Sequence, residues 1–265
     1  MKSHIGIASH LFSVLRRALL QAVIILSLTT VLCLPACGQE KPAPALDQAP
    51  AQEVEFSTAD GIILSGHLFG SGDSAIVLAH MYPADQTSWF DFAAELAQEG
   101  YRALTFDFRG YGESQGSKDI SHIDRDLLAA VDFVVKAGAK QVVLVGASMG
   151  GTASLIAAAL LQSSSEASGS APLVRGVITL SAPVEFKGLA AQKAVAELSC
   201  PLLFIAAEGD VGAESAREFA QLSSGRGDLL VVPGDEHGTN LLRGPHRDQV
   251  REAIAVFLNR CLSKE

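Results

Sequence analysis

The sequence predicts an α/β domain: a mostly parallel central sheet with helices on both faces. Three observations predict it. From residue 53 onward, short apolar runs alternate with helical stretches, the pattern that strand–helix–strand crossovers require. The stretch Gly146-Ala147-Ser148-Met149-Gly150-Gly151 follows an apolar run and precedes good helix formers, so a sharp turn should join a strand to a helix there. A hydrophobic share of 48% against 18% charged, in 265 residues, is enough to bury a large core and excludes disorder for most of the chain.

The N-terminal residues read as a targeting segment. Lys2, Arg16 and Arg17 precede an uncharged apolar run over residues 18–34, which ends at Leu34-Pro35-Ala36-Cys37. This resembles a bacterial lipoprotein signal peptide, and the resemblance implies cleavage after residue 36 and a lipid on Cys37. Gly38 in the next position implies the outer membrane. An uncleaved transmembrane anchor and an ordinary secretory signal are the alternatives, since a run of about 17 residues is near the lower limit for spanning. Residues 37–52 are rich in Pro, Ala and Gln and read as a flexible tether, leaving 53–265 as the globular domain. Without residues 1–36 the charges are 17 basic against 29 acidic, or −12. No basic patch is visible, which argues against a nucleic-acid partner.

Within the domain, residues 53–56 and 62–69 read as strands joined around Asp60-Gly61, a hairpin signal. Residues 75–79 form a buried strand, and 87–98 a helix with an apolar stripe that includes Trp89. Then come a strand over 102–108, a glycine-rich loop and an amphipathic helix over 120–137. The strand at 141–145 feeds the glycine-flanked serine and its helix. Residues 163–172, rich in Ser, Ala and Gly, read as a surface loop. A strand at 174–180, a helix at 185–198 and a very apolar strand at 201–207 follow. A helix at 213–222, a strand at 229–232 and a closing helix at 245–262 complete the chain. Cys200 and Cys261 are either buried thiols or, in an exported protein, a disulfide. No Cys/His cluster has metal-ligand spacing, and no cofactor is implied.

Open α/β sheets gather their sites at the carboxyl ends of the strands, which filters the candidates. Ser148 lies there, on a strand–G-x-S-x-G–helix elbow. A serine nucleophile needs a base and an acid that orients it. Of five histidines beyond residue 37, only His237 stands in a polar loop just past a strand. Asp210, three residues after the apolar strand at 201–207, is the first choice of acid and Glu208 the second. The amide of Met149 would supply one oxyanion donor, and the loop after residue 79 the other. His80 then fixes that loop. Trp89, Met81, Tyr82 and Met149 are candidate cleft walls.

The order Ser148, Asp210, His237 resembles the α/β-hydrolase fold superfamily. Three stretches strengthen the resemblance: His80-Met81-Tyr82 is similar to an oxyanion loop, Asp107 to Ser114 to a D-x-R-G-x-G-x-S segment, and residues 201–210 to the acid-bearing strand. The resemblance implies a Ser-His-Asp triad, an acyl-enzyme, and the Tyr82 amide as second donor. Met81 stands where such proteins usually have glycine, which leaves Met81 and Tyr82 both open as that donor. Only about one helix is expected between Leu180 and Pro201, where many members insert a lid. A shallow, open site without a large cap domain is therefore expected, as in dienelactone-hydrolase-like and small carboxylesterase branches. The implied substrate is a small or medium acyl ester. Thioesterase, peptidase and lactone hydrolase activities use the same triad, and a non-catalytic binding lipoprotein is the rival of another class. Oligomeric state is unread.

Overall fold

The computed structural model describes residues 51–170 and 173–262. The signal peptide, Cys37 and nearly all the expected tether lie outside the described residues. Ten strands are formed: β1 (Gln52–Ser57), β2 (Ile63–Phe69), β3 (Ser74–Ala79), β4 (Arg102–Phe106), β5 (Gln141–Ala147), β6 (Val174–Leu180), β7 (Glu185–Phe186), β8 (Leu189–Ala190), β9 (Leu202–Ala207) and β10 (Gly227–Val232). Eight of them make one sheet in the order β1-β2-β4-β3-β5-β6-β9-β10. From β4 to β10 all neighbours run parallel, while β1–β2 and β2–β4 are antiparallel. The central strands β3, β4, β5, β6 and β9 are almost wholly buried, so they are apolar on both faces.

Helices α1 (Phe90–Gln98), α2 (Ile123–Lys136), α3 (Met149–Ser168), α4 (Gln192–Glu197), α5 (Gly212–Leu222) and α6 (Arg247–Cys261) cover the sheet. α1 and α6 pack with one buried cluster, which contains Trp89, Leu96, Ile254 and Phe257. α2, α3 and α5 pack with the other, through Leu127, Val131, Leu155 and Phe219. In α2 the buried Ile123, Leu127, Ala130, Val131 and Val134 recur at helical spacing and form one stripe. In α3 nearly every residue of the first ten is buried, so this helix enters the core directly behind the serine.

Two elements differ from the sequence reading. Within the expected loop over 163–172, residues 163–168 are instead the end of α3, which stops at Gly169 in the left-handed conformation. Its serines stay helical because Ser164, Ser165 and Ser168 turn their hydroxyls back onto carbonyls four residues earlier. The expected helix over 185–198 is confined to α4. Before it, β7 and β8 form a small hairpin whose two turn residues, Lys187 and Gly188, both have positive φ, as a type I′ turn requires. Cys200 and Cys261 are both free thiols, so the disulfide alternative is not formed. Burial pushes both thiol pKa values up, that of Cys200 to about 11. Among the described residues, no helix is long and apolar enough to cross a membrane.

Candidate active site

Strand order reverses at the centre of the sheet: β3 pairs with β4 on one side and β5 on the other. Crevices form at the carboxyl ends of strands where order switches in this way. The loop after β3 carries Met81 and Tyr82, and β5 leads straight into Ser148.

Ser148 has φ 47° and ψ −119°, a strained conformation for a residue with a Cβ. It is held there because its amide donates to the Leu180 carbonyl at 2.8 Å and its carbonyl receives the amides of Gly151 and Thr152. The glycines permit the close approach. A Cβ on Gly150 would lie 2.6 Å from the His80 carbonyl oxygen, and one on Gly151 would lie 2.7 Å from the Ala182 Cβ. The amide of Met149, as the first residue of α3, has no intrahelical partner. Ser148 retains 7% exposure.

Asp210 follows β9, and His237 follows β10. Their side chains meet: His237 Nδ1 lies 2.7 Å from Asp210 Oδ1. The carboxylate is the buried member, with 4% of its side chain exposed against 33% for the imidazole. Burial pushes the Asp210 carboxyl up, but the His237 hydrogen bond, with help from Ser181, the His237 charge and the Gly212 amide, outweighs it and leaves the pKa below the ordinary value. Burial of a carboxylate beside an imidazole fixes the proton on Nδ1 and leaves Nε2 free to accept. Glu208, the second candidate acid, points away and pairs with Arg217 at 2.6 Å on the surface.

The His237 loop is brought to the elbow by its next residue. A Cβ on Gly238 would lie 2.6 Å from Met81 Sδ and 3.4 Å from the Ala147 Cβ, so residues 81, 147 and 238 pack together. Thr239 Oγ1 is 3.9 Å from the same Met81 sulfur. Met81 therefore wedges between the loop after β3 and the histidine loop. Ser148 Oγ makes no hydrogen bond among the described residues. Catalytic hydrogen bonds are often long until a substrate is bound.

His80 braces the loop after β3. The Phe108 amide donates to His80 Nε2 at 3.1 Å, so the ring proton sits on Nδ1 and is donated to the Met81 carbonyl at 3.0 Å. Phe108 belongs to the Asp107–Ser114 segment, whose side chains build the support behind it. Asp107 accepts from the amide and side chain of Gln86, and Ser114 bridges the Asp107 carbonyl and the Ser65 amide. Arg109 is forked between Asp60 and Asp126. The amides of Met81 and Tyr82 make no backbone hydrogen bond among the described residues.

The proposed cleft walls part company. Tyr82 is 42% exposed and Met81 is partly exposed, both in the loop after β3. Trp89 is fully buried in the α1–α6 cluster beside Phe92, so it offers no surface to a cleft. Its place in an apolar helical stripe was compatible with either side of the helix. Met149 is also fully buried, and only its amide reaches the site. The residues that sequence reasoning missed are Phe186 and Lys187 of the β7–β8 hairpin. The Phe186 ring centroid lies 5.9 Å from that of Tyr82, and Lys187 Nζ stands 4.4 Å above the Tyr82 ring.

A family whose description is "alpha/beta hydrolase fold" matches residues 74–199. Bifunctional epoxide hydrolase 2 of Sus scrofa is 38% identical over 84 residues, 31% of this chain, and the chain spans only 15% of that relative's length. An uncharacterized protein, YfhR of Escherichia coli (strain K12), is 24% identical over 242 residues, covering 83% of this chain and 84% of that protein. Among solved structures, an esterase of Pyrococcus furiosus superposes with a TM-score of 0.70 at 20% identity, covering 81% of this chain and 92% of that one.

Proposed function

We propose that this chain, an α/β hydrolase by fold, is a serine hydrolase that cleaves small or medium carboxylic esters. The observation that carries the reading is the 2.7 Å contact of His237 with a buried Asp210, delivered to the turn that holds a strained Ser148. Ser148 Oγ attacks the ester carbonyl while His237 Nε2 takes its proton, and Asp210 steadies the imidazolium. The oxyanion lies between the Met149 amide and a donor of the loop after β3, with Tyr82 favoured over Met81. Because the Met81 carbonyl is tied to His80, the peptide that carries the Tyr82 amide is the one held in place. The alcohol leaves with the proton from His237, and water releases the acyl group by the reverse sequence. The ester is chosen by analogy with the esterase of like fold, and the same three residues would serve a thioester or an amide.

A fluorophosphonate probe should label the purified protein, and Ser148→Ala should abolish labelling and turnover of p-nitrophenyl butyrate. Asp210→Asn should slow turnover by about three to four orders of magnitude while the fold melts normally. Labelling that survives Ser148→Ala would remove the assignment. Residues 1–36 are read as a lipoprotein signal that leaves the enzyme lipid-anchored through Cys37 on the periplasmic side of the outer membrane. The expected mass of membrane-extracted protein is that of residues 37–265 plus the lipid, and an unmodified Cys37 would exclude the anchor.

A further inference from the structure

The five lysines among the described residues divide into two groups. Lys136, Lys140 and Lys193 each pair with a carboxylate on the surface. Lys118 and Lys187 pair with none among the described residues, although the chain carries 29 acidic residues. Each instead rests on a tyrosine: Lys118 Nζ 4.5 Å above the Tyr111 ring and Lys187 Nζ 4.4 Å above the Tyr82 ring. The two rings are themselves in contact, with centroids 6.5 Å apart. Tyr82 stands next to Met81, whose sulfur touches the histidine loop, so this aromatic shelf begins one residue from the contact between the two loops.

The backbone under Lys187 adds a second observation. Its φ of 48° belongs to the left-handed region, where Asn, Asp and Gly are favoured and a long side chain costs stability. A lysine kept against local preference, at a turn tip beside a site, marks a position chosen for its side chain. Glu185, two residues earlier on the hairpin, forms no ion pair with it among the described residues. An ammonium resting on a ring in solvent is held weakly and can exchange the ring for an anion.

We propose that Lys187, with Lys118 on the adjoining tyrosine ring, is a specificity-determining residue that selects esters bearing a carboxylate remote from the bond cleaved. The inference rests on the serine-hydrolase reading above and names its substrate class. An apolar segment of such an ester would lie along Tyr82 and Phe186, and its carboxylate would end at the Lys187 ammonium.

The test compares matched pairs on the whole protein. Ethyl hexanoate and monoethyl adipate place the charge on the acyl side, and phenyl butyrate and 4-carboxyphenyl butyrate place it on the leaving side. The wild type should favour the charged member of one pair by roughly fivefold in kcat/KM, mostly through KM. The preference should fade in high salt, as a solvent-exposed ion pair does. Lys187→Asn suits the type I′ turn, so the variant should keep its melting temperature while the charged ester loses more kcat/KM than the neutral one and the preference disappears. Lys187→Arg should retain it. Equal rates within both pairs, or a preference that survives Lys187→Asn, would overturn the proposal while leaving the hydrolase intact. Absence of turnover on all four esters, together with no fluorophosphonate labelling, would instead overturn the hydrolase reading and this inference with it.

Discussion

His80 shows how a single side chain fixes the geometry of the loop after β3, which carries the proposed oxyanion donor. One ring nitrogen accepts from Phe108 and the other donates to Met81, an arrangement only the neutral imidazole can make. Burial lowers its pKa below the ordinary 6.5, against the opposing pull of the Met81 carbonyl, Asp107 and Asp85. The sign follows from linkage. Below the ordinary histidine pKa the unfolded chain takes up a proton that the folded chain resists, so this stability is present above about pH 6.5 and is lost as pH falls through the folded value. The melting temperature should therefore drop between pH 7.5 and 5, and His80→Gln, less stable at neutral pH, should lose that part of the slope. An unchanged slope in the variant would show that His80 binds its proton equally well in the folded and unfolded chains, and would overturn this account. Residues of this kind were legible in part. The placement of Ser148, Asp210 and His237 could be read, because each is expected at a loop position just after a strand, and the structure puts them there. The side on which Trp89 sits could not, because an apolar stripe on a helix names a buried face without naming its neighbour.

At the scale of the element, the strand-to-helix turn is the most constrained part of the chain. Gly150 faces the carbonyls of Ala79 and His80, backbone atoms with no rotamer to yield. Gly150→Ala should cost about 1–3 kcal/mol and most of the activity, because relief would have to push β3 and its loop away from α3. Thermal denaturation and ester turnover on the same preparation check both parts, and an unperturbed variant would mean that this contact is slack. Sequence reading found this turn because glycine spacing is a local signal. It missed the β7–β8 hairpin because two-residue strands have no period to detect, and Lys-Gly lacks the Asn-Gly or Asp-Gly signature. It misread the end of α3 because serine-rich composition suggests a loop until the hydroxyls find carbonyls within the helix.

At the scale of the whole molecule, the parallel sheet, its helices on both faces and the antiparallel strands at its leading edge were all legible, because alternation of pattern is a property of the entire chain. What could not be read was which loops converge, since that depends on strand order. The order β3-β5-β6-β9-β10 places the serine near the centre of the sheet and its acid and base toward one end. This has a consequence for how the protein is made. Ser148 stands on the turn after β5, which lies between β3 and β6, whereas Asp210 and His237 follow β9 and β10, strands synthesised later. A chain that ends after β6 contains the residues of the serine turn but neither Asp210 nor His237. In the proposed mechanism turnover therefore requires β9 and β10, the strands that deliver Asp210 and His237, as much as the turn that holds Ser148.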